Sequence, residues 1–268
     1  MISLGIIITC DEYRFVGSDK RAGLETLGGY SILSRIFNLF NGDLENNLFF
    51  AVTNSAPPTD DMDMSMSCLE AHDPSVGSCL LRAADEIPDN SDEDFRLLFI
   101  SISTPLISRK TLRLLSEDVS GDIVICSNSA DRQKNKIIEP RFSGDCQPFT
   151  STASAARQII SNIGRDAIAG KELVDIINEA NNHGMKVGLV SPIINDELFE
   201  VFDKTTLSRA ERTLQKIQAD QLMEDGLTLS DPARFDLRGE LTFGRSEERR
   251  VGKEFISGYA VKRLKKKF

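Results

Sequence analysis

The sequence has no tryptophan, two histidines and five cysteines, and no two cysteines have C-x-x-C spacing. With so few nitrogen and sulfur ligands, the sequence does not indicate a zinc site. Cys10 and Cys126 lie in apolar runs and are typical of small buried side chains, which favours reduced thiols and a cytoplasmic protein. Spacing alone brings neither histidine to a nucleophile, so no Ser/His/Asp arrangement is inferred.

Long hydrophobic runs are also missing. No stretch approaches about 20 apolar residues, so no membrane-spanning helix is predicted. The first apolar run, residues 2–10, is short, has no basic residue before it and meets Asp11 at once. This pattern is typical of a buried strand and not of a signal peptide.

Basic residues are scarce in the body of the chain and gather at its end. The net charge is −9, and residues 245–268 hold nine basic and three acidic residues, so they carry +6 and the remainder −15. The acidic body argues against general nucleic-acid or membrane binding. The run 262–267 (KRLKKK) could bind acidic lipid or nucleic acid. Residues 245–254 instead resemble a translated sequencing adapter, so we expect residues 245–268 to be non-native.

Apolar runs and helical periodicity alternate along the chain, which indicates an α/β layered fold. Ser108 is a predicted helix N-cap, and Gly184 and Gly226 are predicted to end two helices. Strands are predicted at residues 2–10, 48–53, 96–102, 123–126, 136–138 and 187–190. Helices are predicted at residues 32–40, 79–87, 154–163, 171–180 and 207–223, with a short one from Ser108. The acidic stretch 60–67 is predicted to be a loop.

Four segments carry a resemblance to one family. They are residues 231–244 (DPARFDLRGELTFG), residues 104–115 (TPLISRKTLRLL), residues 207–212 (LSRAER), and Leu24, Thr26 and Leu27 with Gly29. Together they resemble the bacterial bifunctional N-acetylglucosamine-1-phosphate uridylyltransferase/glucosamine-1-phosphate acetyltransferase family. The segment 231–244 resembles the junction between the two halves of that family, and the other three lie in its uridylyltransferase half.

The resemblance implies a Rossmann-like nucleotidyltransferase domain over residues 1–225, with a mostly parallel sheet between helices and a connecting helix at about 207–224. A junction segment, 226–244, and the basic tail follow. Ligands of such sheets bind at the carboxyl ends of the strands. The chain ends 24 residues after Gly244 without hexapeptide repeats. We therefore expect the β-helix acetyltransferase domain and its activity to be absent. The family's trimers form through that part, so the oligomeric state stays open.

The activity implied by the resemblance is uridylyl transfer from UTP to N-acetylglucosamine-1-phosphate with Mg²⁺, a step in making peptidoglycan or lipopolysaccharide precursors. The family's glycine-rich phosphate loop aligns with residues 11–15, which contain no glycine and two carboxylates. Two carboxylates would repel a triphosphate. The family's lysine falls on Ala22, so Lys20 and Arg21 become candidate phosphate contacts; their alternative interpretation is solvated loop charge.

Three further family positions bear on substrate and metal. The uracil-binding segment aligns with residues 75–79, where Gly77 alone matches, and a helix start explains a glycine equally well. The metal-binding aspartate position holds Ser103, a poor ligand for Mg²⁺. The metal-binding asparagine segment aligns with residues 201–203, where Phe202 cannot ligate a metal. Asp203 could coordinate one; its alternative interpretation is an exposed aspartate at the start of a helix.

Glu139, in the segment 137–139 (IIE), matches the family's sugar-binding glutamate in context. Its alternative interpretation is a carboxylate at a strand end. Two hypotheses follow. In one, the chain is a slow, divergent uridylyltransferase that uses Lys20, Arg21 and Glu139. In the other, it is a non-catalytic remnant that binds a nucleotide or a partner, because losing a metal carboxylate and the phosphate loop costs much of the transition-state stabilisation.

Overall fold

The structure is a computed structural model. It describes residues 4–10, 15, 18–20, 22–40, 48–53, 67–70, 75–87, 95–118, 120–128, 147–194, 196–238 and 241; for residues 4–10, 48–53 and 67–70 it describes the backbone alone. Within these ranges, no helix has the length and apolar character needed to cross a membrane. The predicted strand 136–138 and the basic tail lie outside the described residues.

Strands and helices alternate along the described chain, as the apolar pattern predicts. The strands are β1 (Leu4–Cys10), β2 (Thr26–Leu27), β3 (Tyr30–Ser31), β4 (Leu48–Thr53), β5 (Ser67–Glu70), β6 (Arg96–Ser101), β7 (Ile123–Cys126), β8 (Phe149–Thr152) and β9 (Val187–Val190). The helices are α1 (Ile32–Asn38), α2 (Val76–Glu86), α3 (Arg109–Glu117), α4 (Ala153–Ile163), α5 (Leu173–Asn182) and α6 (Lys204–Glu224). Short 3-10 helices lie at Ala22–Leu24 and Pro232–Arg234.

Seven of these strands form one sheet in the order β5-β4-β1-β6-β8-β7-β9, and β2 and β3 form a separate hairpin. Six strands of the sheet run parallel, and β8 runs antiparallel between β6 and β7. The prediction of an α/β fold with a mostly parallel sheet is confirmed. The six parallel strands end at one side of the sheet, which we name the carboxyl edge.

Two hydrophobic layers cover the two faces of the sheet. Side chains alternate along each strand, so Leu98 and Ile100 of β6 pack with α1, α3 and α6, whereas Leu97 and Phe99 pack with α2, α4 and α5. The rings of Phe99 and Phe149 stack with their centroids 4.4 Å apart. These two layers stabilise the sheet from both of its faces.

The predicted helix ends are confirmed. Ser108 accepts a hydrogen bond from Thr111 N as the N-cap of α3, and Gly184 and Gly226 follow α5 and α6 with φ of +70° and +100°. Helix α6 begins three residues before the predicted Leu207, because Asp203 caps it. The sequence analysis predicted neither β5 nor β8, and it placed Ser67, the first residue of β5, in a loop. The segments of these two strands, SCLE and FTST, have few apolar residues.

Candidate functional site

Strand β6 ends in a tight turn at the centre of the carboxyl edge. Thr104 N donates to Ser101 O over 3.2 Å, and Ser103 N donates to Ser101 Oγ over 3.1 Å. The turn holds Ser103 buried, two residues after the end of the strand. Ser103 is the residue that the resemblance aligns with a metal-binding aspartate.

The segment before α6 lies beside this turn. Val201 N donates a 2.7 Å hydrogen bond to Ser103 O, and the Val201 side chain is buried. Residues 103 and 201 are distant in sequence, so the fold brings together the two segments that the resemblance assigns to the metal site. Lys20, in contrast, is exposed, and its backbone N–H donates to Ser18 Oγ over 3.2 Å.

The Asp203 carboxylate is the N-cap of α6. Its Oδ1 accepts hydrogen bonds from Thr206 N over 2.6 Å and from Thr206 Oγ1 over 2.8 Å. The hydrogen bonds from Thr206, led by that of its backbone N–H, lower the pKa of Asp203. Coordinating a cation would compete with these bonds, which satisfy a helix terminus.

Taken together, the described residues do not fit a magnesium site. Mg²⁺ prefers charged, hard oxygen ligands, and the aligned positions offer the Ser103 hydroxyl, the Phe202 ring and a carboxylate engaged in capping. Among the residues that the structure describes, no three His, Cys, Asp or Glu side chains are grouped so that they could hold a metal ion. The role of Mg²⁺ therefore stays an expectation from the resemblance.

Gly77 lies at the start of α2, where the segment between α4 and α5 covers it. Gly77 N donates to Lys171 O over 2.8 Å, and a Cβ at this position would lie 2.0 Å from Ile168 O. Close packing of two backbones therefore requires a glycine here. The uracil-binding role of Gly77 stays a prediction. Arg21 and Glu139 lie outside the described residues, so their substrate-binding roles stay predictions too.

The sequence analysis missed Glu197, which is fully buried near the carboxyl edge. Its carboxylate accepts hydrogen bonds from Ser108 N over 3.3 Å and from Ile194 N over 3.1 Å, and so joins the start of α3 to the segment after β9. Burial, and then the charge of Glu197, raise the pKa of the Cys126 thiol to about 12. Cys126 is a buried free thiol, as predicted, and its raised pKa keeps it protonated and unreactive. The same prediction for Cys10 concerns a side chain outside the described part of the structure.

Glu200 and Phe202, on either side of Val201, were also missed as candidates. Glu200 is half-buried, and burial raises the pKa of its carboxyl group. Phe202 is 42% exposed, and its backbone N–H donates to Thr206 Oγ1 over 3.1 Å. The sequence offers one signal, which is that a carboxylate and an aromatic residue precede the N-cap of a helix. It does not show which strand of the sheet this segment contacts.

Three further hydrogen bonds link residues in or near the resembling segments. Gly28 N, in the β2–β3 turn, donates to Glu211 Oε2 over 2.9 Å. Arg35 Nε donates to Pro105 O over 3.1 Å; burial lowers the pKa of Arg35, and the charge of Glu211 opposes that shift. Gln215 Nε2 donates to Asp236 Oδ1 over 3.0 Å, which holds part of the junction segment on α6.

No protein-family profile matches the chain. Solved structures do. A 2-C-methyl-D-erythritol 4-phosphate cytidylyltransferase from Francisella tularensis is 15% identical with a TM-score of 0.55, covering 78% of this chain and 98% of that one. A nucleotidyl transferase from Methanothermobacter is 13% identical with a TM-score of 0.55, covering 84% of this chain and 99% of that one.

The chain has a nucleotidyltransferase fold. A further cytidylyltransferase for the same substrate, from Thermus thermophilus, has a TM-score of 0.51 at 15% identity, covering 78% of this chain and 98% of that one. Identities this low establish the nucleotidyltransferase fold alone, because one fold carries many activities.

Proposed function

We propose that the chain is a divergent relative of UDP-N-acetylglucosamine pyrophosphorylase, which transfers uridylyl groups from UTP to N-acetylglucosamine-1-phosphate only slowly. The observation that supports this proposal is the 2.7 Å hydrogen bond from Val201 N to Ser103 O. It joins the two segments that a uridylyltransferase site would need side by side. The proposal includes a cytoplasmic protein that serves cell-envelope precursor synthesis.

The slow rate follows from the residues at these two segments. Phosphoryl transfer is mostly positioning and neutralisation of charge. A neutral hydroxyl at Ser103 and a capping carboxylate at Asp203 supply little neutralisation, so the charge must be met by Lys20 and Arg21. Each 1.4 kcal/mol of lost transition-state stabilisation is about a tenfold loss in rate.

The test is pyrophosphate release from UTP and N-acetylglucosamine-1-phosphate by the purified full chain with Mg²⁺. We expect weak release that needs both substrates and disappears in Glu139→Ala. Ser103→Asp should raise the release about tenfold or more by restoring a carboxylate. Ser101→Asp, which adds a buried carboxylate two residues earlier in the same turn, is the matched control. Absence of release from a protein with a cooperative melting transition would contradict the proposal.

A second candidate function is nucleotide or partner binding without catalysis. The neutral Ser103 hydroxyl and the capping role of the Asp203 carboxylate favour it, because a nucleotide can bind where the charge neutralisation that catalysis needs is missing. Calorimetric titration with UTP, with and without Mg²⁺, separates the two functions. UTP binding without pyrophosphate release would favour the second one.

A further inference from the structure

Glu200 has the features of a ligand-binding carboxylate. It is half-buried at the carboxyl edge, where the neighbouring Val201 bonds to the turn after β6. Within the described part of the chain, no hydrogen bond or ion pair serves its carboxylate. A half-exposed carboxylate of this kind is hydrated in the free protein and can exchange that water for the hydroxyl groups of a ligand. The raised pKa of Glu200 has burial as its cause, in agreement with this environment.

Phe202 provides a partly exposed aromatic ring two residues after Glu200. Its side chain is 42% exposed, whereas the intervening Val201 is 1% exposed. Three hydrogen bonds donated by backbone N–H groups fix the segment: Val201 N to Ser103 O, and Phe202 N and Asp203 N to Thr206 Oγ1. A surface that is rigid before binding loses little conformational entropy when a ligand arrives.

We propose that Glu200 and Phe202 form a sugar-binding subsite at the carboxyl edge, which takes a pyranose ring. A pyranose has an apolar C–H face, which an aromatic ring can cover, and hydroxyl groups, which a carboxylate accepts as hydrogen-bond donors. This inference rests on the proposed function for its substrate class. It adds a site that is separate from the Glu139 contact and that needs no divalent cation.

The experiment is a ligand-observed NMR titration of the full chain with N-acetylglucosamine, in EDTA. We expect saturable binding that Phe202→Ala weakens roughly two- to tenfold and that Phe202→Tyr restores. Glu200→Ala should weaken it about tenfold or more, because a charge-assisted hydrogen bond is lost. Tyr30→Ala is the matched control, since Tyr30 is a comparably exposed aromatic residue, 37%, on the β2–β3 hairpin. It should bind like wild type.

Thermal melting of each variant reports folding separately. Binding that is absent in the folded wild type, or that is unchanged in both Phe202→Ala and Glu200→Ala, overturns the inference. A parallel titration with uridine addresses the alternative ligand: if uridine and not N-acetylglucosamine loses binding in Phe202→Ala, the subsite takes a nucleobase and the sugar assignment is wrong. Pyrophosphate release is measured on the same proteins. Absence of release with sugar binding intact contradicts the proposed function alone, and absence of sugar binding with release intact contradicts this inference alone.

Discussion

At the start of α2, backbone from another part of the chain covers the helix, whereas at the start of α6 Phe202 is 42% exposed. The two starts resemble each other in detail, since each has a side-chain cap and a position that the resemblance assigns to a ligand. Ser75 caps α2 and also accepts a 2.9 Å hydrogen bond from Gly170 N. Asp203 caps α6, and its Oδ1 accepts hydrogen bonds from Thr206 N and Thr206 Oγ1.

The comparison shows that a residue can match the pattern of the resembled family for a structural reason and not because it binds a ligand. At α2, Gly77 is the residue that matches the family, and close backbone packing accounts for it. At α6, Phe202 and Asp203 differ from the residues of the family, and the Phe202 side chain is partly exposed. A matching residue is therefore weaker evidence of ligand binding where protein atoms already occupy the space beside it.

The largest expected loss of stability comes from disrupting the backbone packing at the covered start of α2. Gly77→Ala should lower the free energy of unfolding by about 3 kcal/mol, because the new Cβ would meet Ile168 O and the backbones must separate. Urea denaturation measures this change. Gly23→Ala is the control: its Cβ would lie 3.6 Å from Ile102 Cδ1, an ordinary contact. Equal stability of the two variants would refute the packing role of Gly77.

A smaller loss of stability is expected from breaking the contact between Glu211 of α6 and Gly28 of the β2–β3 turn. Glu211→Ala removes the acceptor for Gly28 N and the carboxylate near Arg35, and should lower the free energy of unfolding by about 1–3 kcal/mol. Glu211→Gln keeps an acceptor and should lose less. Asp220→Ala, at an exposed position of the same helix, should change stability by about 0.5 kcal/mol or less. The prediction fails if Glu211→Ala is as stable as Asp220→Ala.

Much of this fold can be predicted from the sequence, since apolar runs mark strands with little ambiguity. The bounds of β4, β7 and β9 follow from such runs. Strand β8 does not, because FTST is mostly polar and is stabilised by two flanking strands instead of by its own pattern. The β2–β3 hairpin has two residues in each strand, too short for a periodic signal, although Gly28 and Gly29 mark its turn.

The candidate site is less predictable than the fold. The sequence marked Ser103 and residues 201–203 through the resemblance, and the fold brings them together. Glu197 and Glu200 were missed, because an isolated glutamate is usually exposed and gives no sequence signal when it is buried. Their positions depend on which segments return to the carboxyl edge, and this is a tertiary property of the chain.

The smallest expected effect concerns the open start of α6 and depends on pH. Hydrogen bonds from Thr206 lower the pKa of Asp203 below its unfolded value of about 4. The charged cap therefore stabilises the folded state above that value and loses this contribution as the pH falls through the lower, folded-state pKa. Asp203→Asn keeps a neutral cap, so its melting temperature should be slightly below that of wild type at pH 6 and should approach it by about pH 3. Asp220→Asn removes an exposed carboxylate near the C-terminal end of the same helix and controls for general charge effects. A melting-temperature difference that stays constant from pH 6 to pH 3 would mean that the Asp203 charge does not cap α6, and its carboxylate would then be free to meet a ligand beside Ser103.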